Sequence, residues 1–268
     1  MKISVIIPTY KPLDYLWECL DSISSQKFPK EDFEILIVLN GCKEPYYSDI
    51  HKYINSSKAN IRLFQTDESG VSNARNIGIE NSKGEYIAFL DDDDYVSHDY
   101  LEELYRRSSH NTACISNVIY FKDPSFELIF QNKHHKIFEK LQNENKVSLF
   151  KSRSFFNGPC MKLIHRDIIG DRRFDKSFKN GEDNLFMLLI SDRIKNVSLS
   201  NSDAIYYRRI RIGSASNRKR SKSNLLKNTL RLMLKYTYYW IHNPFGYNVP
   251  FVLSRYAAEI KTLCIRIF

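Results

Sequence analysis

The N-terminal third of the chain alternates between short apolar runs and segments with helical periodicity. The runs ISVIIP, FEILIVL, IRLFQ and EYIAFL are typical of strands buried in a sheet. Between them, apolar side chains recur at helical spacing at Leu13, Leu16, Leu20 and Ile23, and SGVSNARNIGIENSKG indicates a second helix. This alternation predicts an α/β fold, a mostly parallel sheet flanked by helices.

Three polar segments follow directly after predicted strands. They are Pro8-Thr9-Tyr10, Asn40-Gly41 and the run from Asp91 to Asp94. In parallel sheets, ligands bind beyond the carboxyl ends of the strands. We therefore expect these segments to line one crevice.

The second half of the chain is less regular. Residues 111–150 indicate strands and a polar stretch, QNKHHKIFEKLQNENK, that is either a loop or an exposed helix. RFDKSFKNGEDNLFMLLI predicts a loop leading into a helix at Glu182, and DAIYYRRIRIGSAS predicts a strand running into a loop. From about Asn217 the pattern is basic and helical, with a break at Asn243-Pro244.

Charge is concentrated near the C-terminus. The 268-residue chain carries a net charge of +9, and from Ala204 to Ala258 it has eleven Lys or Arg and no Asp or Glu. Such asymmetry indicates an anionic partner, either a membrane surface, a nucleic acid or a phosphorylated substrate. No nucleic-acid-binding motif accompanies the charge. The uncharged run from Tyr236 to Ser254 contains Pro244 and Pro250, which argues against a transmembrane helix.

The cysteines and the N-terminus favour a cytosolic protein. Five widely spaced cysteines form no CxxC motif and no Cys/His cluster, which predicts reduced thiols and no zinc site. Met1 leads straight into a strand-like run, so we expect no secretory signal.

The run from Asp91 to Asp94 gathers four carboxylates that repel one another. Mg²⁺ or Mn²⁺ bound with a nucleotide diphosphate would stabilise them, since both ions prefer oxygen ligands. A solvated acidic turn that caps the next helix is the alternative. Receiver domains and phosphatases also place aspartates at strand ends.

The chain resembles the inverting family 2 glycosyltransferases of GT-A fold over roughly residues 2–216. The similar segments, in the family's order, are SVIIPTY, GVSNARNIGIENSKGEYIAFLDDDD ending in the DxD motif, GPCMKLIHRDII, FDKSFKNGEDNLF and YRRIRIGSAS. The resemblance implies a GT-A, Rossmann-like catalytic domain at 1–216, with a nucleotide-binding half at 1–97 and an acceptor half at 98–216. A basic, helical extension follows at 217–268.

The resemblance also implies roles for individual residues. The donor nucleotide site would comprise Pro8, Thr9, Tyr10, Asn40, Arg75, Asp91 and Asp92. Within it, Asp91 would bond the ribose and Asp92 would fill the variable place of the motif. Asp93 would bind Mn²⁺ or Mg²⁺, and Asp94 would support the site or cap a helix.

On the acceptor side, the resemblance makes Asp183 the catalytic base rather than its neighbour Glu182, although an acidic pair can also simply cap a helix. Arg209 and Arg211 would contact phosphate or belong to a basic surface strand. Many relatives carry a His at the position of Arg211, where it can touch the metal. Lys162 would be either acceptor-side or structural.

One departure concerns the base. Relatives usually carry Asp-Asp or Asp-Asn where this chain reads Leu39-Asn40, and the first acid commonly meets uracil. Leu39 cannot accept a hydrogen bond, whereas Asn40 has a side-chain oxygen that could.

The resemblance implies an inverting, metal-dependent hexosyl- or N-acetylhexosaminyltransferase. It would act from a nucleotide diphosphate sugar, UDP being the family's commonest, on a glycan or lipid-linked glycan in surface polysaccharide assembly. A sugar nucleotidyltransferase is one alternative, but PTYKPLDY lacks the glycine-rich loop that cradles a triphosphate. A degenerate transferase fold serving as a membrane or assembly module is another. The basic C-terminal segment would contact an anionic membrane on its inner face, or would pack on the catalytic domain.

Overall fold

The structure, a computed structural model, describes residues 1–144, 146–211 and 221–267. The strands are β1 (Ile3–Thr9), β2 (Phe33–Asn40), β3 (Ile61–Thr66), β4 (Tyr86–Phe89), β5 (Tyr95–Val96), β6 (Thr112–Ile115), β7 (Asn117–Lys122), β8 (Glu127–Ile129), β9 (Lys162–His165), β10 (Asn196–Leu199) and β11 (Ile205–Ile210). The helices are α1 (Tyr15–Ser24), α2 (Tyr46–Ser56), α3 (Val71–Asn81), α4 (Tyr100–Arg106), α5 (Lys133–Gln142), α6 (Arg166–Ile169), α7 (Glu182–Ile190), α8 (Lys222–His242) and α9 (Val249–Ile267). Short 3₁₀ turns occur at Arg153–Asn157 and Ser191–Arg193.

A central sheet forms the core, and within the described ranges its strand order is β10-β6-β9-β4-β1-β2-β3. β9 runs antiparallel to β4 and β6, and the remaining pairs are parallel. Every side chain of β1 and β2 is buried, as expected for strands covered on both faces. The predicted α/β fold, with a mostly parallel sheet flanked by helices, is confirmed.

A smaller sheet positions the basic strand beside the aspartates. In the part of the chain that is described, its order is β5-β11-β7-β8. β5 follows directly after Asp94, and it pairs antiparallel with β11 at Tyr206 and Tyr207. The arginines of β11 are therefore held next to the acidic turn.

The two C-terminal helices pack on the rest of the molecule. Leu232 and Tyr236 of α8, and Phe251 and Val252 of α9, are buried in the same core as the central sheet. The extension therefore shares its core with the sheet. Its predicted boundary at residue 217 lies in 212–220, outside the described residues.

The structure contradicts the helical position predicted for Leu13 and confirms the helix start predicted at Glu182. α1 begins at Tyr15, so Leu13 lies outside the helix and is exposed, contrary to the predicted helical face. The polar stretch after residue 130 contains a helix, α5, whose first turn is capped by the side chain of Asn132. The helix predicted to start at Glu182 is α7. The loop predicted after β11 falls within 212–220 and is not described.

Candidate active site

A crevice of about 1110 Å³ opens at the carboxyl ends of β1, β2 and β4. The predicted site residues that line it are Pro8, Thr9, Tyr10, Asn40, Asp91, Asp92, Asp93, Asp94, Asp183, Arg209 and Arg211. Arg75 is buried, and its guanidinium reaches two of these carboxylates. The segments predicted from the sequence to share a crevice therefore do so. Their individual side chains differ from one another in burial and in hydrogen-bond partners.

The four aspartates do not share one environment. Asp94 is buried, and its carboxylate accepts hydrogen bonds from the Tyr206 hydroxyl and the Arg209 backbone N–H, both at 2.7 Å. It supports the turn instead of capping α4, which begins at Tyr100. Asp92 accepts a 2.5 Å hydrogen bond from the Thr9 hydroxyl, and burial raises the pKa of its carboxyl to about 7.

Asp93 fits a divalent metal by its chemistry. Its Oδ2 lies 2.7 Å from Arg211 Nε, and a carboxylate offers about four lone-pair sites, so this contact does not saturate it. Mg²⁺ and Mn²⁺ are commonly held by one or two carboxylates together with phosphate oxygens. A carboxylate at the surface of a crevice large enough for a nucleotide provides such a donor set.

The two arginines predicted to contact phosphate differ in their surroundings. Arg211 is partly exposed, pairs with Asp93 and lies over the ring of Tyr15, so its cation faces the crevice. Arg209 is buried beneath the acidic turn. It donates to the Asp93 carbonyl at 2.7 Å, to Asp123 at 2.9 Å and to Glu18. Phosphate contact by Arg209 would require it to give up part of this network.

Asp183 stands at the first turn of α7, where the helix dipole favours a negative charge. Its Oδ1 lies 2.6 Å from Nη1 of Arg75, and Nη2 of Arg75 lies 3.0 Å from Oδ1 of Asp91. Burial raises the pKa of the Asp183 carboxyl, and the Arg75 cation opposes that rise. Because the side chain is 31% exposed and ion-paired, we expect it to be ionised at neutral pH. Arg75 is buried behind these two carboxylates, which lie between its guanidinium and the crevice.

Two buried basic side chains support the part of the crevice beside Asp183. Lys162 is fully buried, donates to the carbonyls of Gly158 and Cys160 at 2.6 Å each, and has its pKa lowered by burial to about 7. Of the two roles considered for Lys162, acceptor contact and structural support, this geometry supports the structural one. Arg255 of α9 donates to the side chains of Asn157 and Asn184, which line the crevice.

Asn40 lines the end of the crevice formed by β1 and β2. Its Nδ2 donates to the Thr9 carbonyl at 2.7 Å, and its Oδ1 accepts from the Gly70 N–H at 2.9 Å. Both ends of the amide are thus used to join β1, β2 and α3, while Leu39 is buried in the core. One N–H and one lone pair of the amide remain unused by these two bonds, but the side chain is buried.

Tyr10 lies exposed at the rim of the crevice, against Gly41. Gly41 has φ +86°, and a Cβ there would lie 2.6 Å from the Tyr10 ring. Glycine is therefore required at position 41 by the positive φ and by the nearby ring. The other face of the Tyr10 ring remains exposed.

Some supporting residues were missed at the level of sequence. Glu18, Tyr206 and Arg255 each bond a crevice residue from an element far away along the chain. Local sequence gives no signal for these contacts, since each partner lies on an element distant along the chain.

The sequence matches a known protein family and several of its members. The family model described as Glycosyl transferase family 2 matches residues 4–173, more than half of the chain. The glycosyltransferase GlyA of Streptococcus pneumoniae serotype 4 is 32% identical over 232 residues, which covers 80% of this chain and 31% of GlyA. The poly(ribitol-phosphate) beta-N-acetylglucosaminyltransferase TarS of Staphylococcus aureus strain MW2 is 26% identical over 209 residues, which covers 77% of this chain and 35% of TarS.

A solved structure shares the fold. The crystal structure of S. aureus TarS 1-349 in complex with UDP-GlcNAc matches with a TM-score of 0.70 and 24% identity, covering 88% of this chain and 66% of that chain. The chain spans about a third of the length of the curated relatives it matches.

Proposed function

The chain belongs to glycosyl transferase family 2, and from this premise we propose that it is an inverting, divalent-metal-dependent enzyme. It transfers a hexose or N-acetylhexosamine from a UDP-sugar to a glycan or lipid-linked glycan in surface polysaccharide assembly. The observation that carries the proposal is the position of Asp183, which shares one crevice with the acidic turn and is tied to it through Arg75.

Asp183 acts as the general base. The acceptor hydroxyl oxygen bonds to the anomeric carbon while the bond from that carbon to the diphosphate oxygen breaks. The hydroxyl proton passes to the Asp183 carboxylate, and the nucleoside diphosphate leaves. Arg75 holds the carboxylate in place through the 2.6 Å ion pair, so the base is oriented before the substrates arrive.

The donor occupies the acidic side of the crevice. Asp91 bonds the ribose, Tyr10 packs on the base, and Asp93 would hold Mn²⁺ or Mg²⁺. The metal, when bound, neutralises negative charge that builds on the leaving diphosphate. The partly exposed Arg211 supplies a second cation beside Asp93.

The first experiment compares Asp183→Asn with Asp93→Ala in calorimetric titrations with a panel of nucleoside diphosphates, with Mn²⁺ and with EDTA, and in a transfer assay with UDP-sugars. Asp183→Asn should bind nucleotide as the wild type does and lose about 10²–10⁴-fold in transfer rate. Asp93→Ala should lose the metal-dependent part of nucleotide binding. Full transfer by Asp183→Asn would exclude it as the base, and tight binding of a nucleotide other than UDP would reassign the donor.

The outer face of α8 supports a second part of the proposal, peripheral contact with an anionic bilayer. Residues of α8 that are buried in the core are Leu225, Thr229, Leu232 and Tyr236. The opposite face carries an exposed apolar stripe, defined as Leu226, Leu230, Leu234, Tyr238 and Ile241, and Phe245 in the following turn is fully exposed. A helix that is apolar on both sides needs a second apolar environment.

The charge of the helix supports an anionic bilayer as the occupant of this stripe. α8 itself carries Lys222, Lys227, Arg231 and Lys235 and no acidic residue. Each basic residue near an anionic surface contributes about 1 kcal/mol, and the apolar stripe adds the burial of its side chains. Among the described helices, none is both long enough and apolar enough to cross a membrane. An interfacial position of α8 satisfies both findings.

Vesicle co-sedimentation tests this contact. Wild type should bind vesicles that contain phosphatidylglycerol more tightly than pure phosphatidylcholine vesicles, and Leu234→Glu, at a site that is 70% exposed, should abolish binding without unfolding the protein. Leu128→Glu, at an exposed site on β8, is the matched control and should bind normally. Equal binding of both glutamate variants would remove the stripe from the proposal. Concentration-dependent dimerisation that Leu234→Glu alone abolishes, without vesicle binding, would assign the stripe to a second copy of the chain.

A further inference from the structure

Three side chains with metal-binding atoms meet at the end of the central sheet opposite the crevice, near the ends of its inner strands. His110 precedes β6, His165 ends β9, and Asp167 lies in α6. His110 Nδ1 lies 3.4 Å from Asp167 Oδ2, and His165 Nδ1 lies 3.8 Å from the same atom. Taken over the described residues, one ligand atom from each lies within 4.8 Å of the other two. We propose that this cluster, the His110–His165–Asp167 site, binds Zn²⁺ or a similar transition-metal ion.

Two of the three separations between ligand atoms are close to those around a tetrahedral ion, and the third lies within 4.8 Å. Zn²⁺ binds histidine nitrogen and carboxylate oxygen at about 2.0–2.2 Å, which separates two ligands of a tetrahedron by about 3.4 Å. The His110–Asp167 separation equals this value, and the His165–Asp167 separation exceeds it by 0.4 Å, within the reach of a side-chain rotation. Three protein ligands leave the fourth position to water.

His165 is oriented as a metal ligand requires. Its side chain is 9% exposed, and its ring packs edge-on against Tyr86 at 5.0 Å. Its second nitrogen, Nε2, lies 3.5 Å from Glu85 Oε1. A carboxylate on the far nitrogen of a ligating histidine fixes the tautomer and makes the ligand more basic. Glu85 therefore serves as a supporting partner for a metal bound at Nδ1.

The bound ion would replace one existing contact. In the structure the Asp167 backbone N–H donates to His165 Nδ1 at 3.2 Å, which caps the short helix α6. The metal would take this lone pair, so binding would cost the helix this capping hydrogen bond. His110 and Asp167 are both exposed, so the ion reaches the site without any opening of the core.

The site differs from the crevice in both place and chemistry. β4 separates them, since Glu85 precedes its first residue and Asp91 follows its last. Imidazole nitrogen favours Zn²⁺, Cu²⁺ or Ni²⁺, whereas the carboxylate of Asp93 favours Mg²⁺ or Mn²⁺. The sequence predicted no zinc site because Cys and His do not cluster along the chain. The fold brings the two histidines together, with their ring centres 4.4 Å apart.

The ion would join segments distant in sequence: the loop before β6 and the corner between β9 and α6. Metal binding would stabilise the contact between these two segments and would not take part in sugar transfer. The proposal therefore stands independently of the proposed function. Binding to the folded state alone raises stability in proportion to the logarithm of ligand concentration over Kd.

Calorimetric titration of Zn²⁺ into the full chain, in excess Mg²⁺ to occupy oxygen-rich sites, tests the proposal. We expect binding of a single Zn²⁺ that His110→Ala and Asp167→Asn abolish and that Glu85→Gln weakens about 10–100-fold. Both ligand residues are exposed, so these variants should fold normally. His51→Ala, an exposed histidine on α2, is the matched control and should bind as the wild type does.

Two further readouts accompany the titration. Co²⁺ should give the intense visible absorption of a tetrahedral site in wild type and not in His110→Ala. Zn²⁺ should raise the thermal midpoint of wild type and of His51→Ala, and leave that of His110→Ala unchanged. Absence of Zn²⁺ binding, or equal Zn²⁺ affinity in wild type, His110→Ala and Asp167→Asn, would overturn the proposal.

Discussion

Arg75 reaches from α3 to Asp183 on α7, with its Nη1 2.6 Å from the Asp183 carboxylate, across 108 positions of sequence. The same guanidinium bonds Asp91 at 3.0 Å and packs over the ring of Phe174. One buried cation therefore fixes the candidate base relative to the candidate ribose contact.

Removal of that cation should impair transfer more than donor binding. In Arg75→Gln, the Asp183 carboxylate loses its partner and its position, and a misplacement of about 1 Å can lower a rate about 10²-fold. Loss of the cation also raises the pKa of the base, so the acidic limb of the kcat–pH profile should move to higher pH. Steady-state kinetics across pH measure both effects. Arg75→Lys, which keeps the charge, should leave the limb closer to that of wild type, and an unmoved limb in Arg75→Gln would contradict the coupling.

Asn40 should not tolerate an acid, despite the aspartate common in relatives. In Asn40→Asp, a carboxylate oxygen replaces the Nδ2 that donates to the Thr9 carbonyl, so two acceptors face each other in a buried place. We expect a loss of about 1–3 kcal/mol in the free energy of unfolding and no gain in UDP affinity. Urea denaturation and calorimetry measure these. Asn55→Asp, on the exposed side of α2, is the control and should change stability by less than about 0.5 kcal/mol. Tighter UDP binding by Asn40→Asp would show that the amide does read the base.

The contact between α8 and the loop before Asp183 should affect catalysis. Gly181 has φ +80°, and a Cβ there would lie 2.5 Å from Leu232 of α8. Gly181→Ala should therefore cost about 1–2 kcal/mol from the left-handed backbone alone and should shift the first turn of α7. We expect kcat to fall while nucleotide affinity, set by the acidic side, stays near that of wild type.

A matched pair separates the two causes. Adding Leu232→Ala to Gly181→Ala removes the clash but not the backbone strain, so partial recovery of kcat would assign the clash its share. If Gly181→Ala retains full kcat, the α8 contact does not position the base.

Glu34 should make stability depend on pH. Burial alone would raise the pKa of its carboxyl, but hydrogen bonds from Ser4, Arg62 and the Lys83 backbone N–H outweigh burial and hold the pKa below its ordinary value. The unfolded state then binds the proton more readily, so stability rises with pH through this range. The contribution is complete above the unfolded pKa of about 4.3 and disappears as pH falls through the folded value.

Denaturation of wild type and Glu34→Gln from neutral to acidic pH measures this contribution. Glu34→Gln should be less stable at neutral pH, and the difference should shrink as the solution is acidified. Glu44→Gln, at an exposed carboxylate that accepts a hydrogen bond from the Ser48 hydroxyl, is a control that should follow wild type at each pH. A constant difference between wild type and Glu34→Gln at all pH values would contradict the shift.

The sequence by itself determined the frame of the protein. Continuous apolar runs at β1 and β2 and helical spacing in α1 report local burial, and local burial is what fixes a strand or a helix. Parallel strands have their carboxyl ends on the same side of a sheet. The pattern of strands and helices therefore also determined that Thr9, Asn40 and the run from Asp91 to Asp94 would share a crevice.

The tertiary structure decided which atoms are free to act. Asp92 is turned to Thr9 and Asp94 to Tyr206 through contacts 83 and 112 positions apart, and Arg209 is committed to Glu18 across 191 positions. His110 and His165 meet in the same way, although neither stands in a metal-binding pattern. Periodicity and local motifs describe only the surroundings of a residue on its own element. Pairing between distant segments depends on how β5, β9 and β11 close the sheets, which is a property of the whole packed chain.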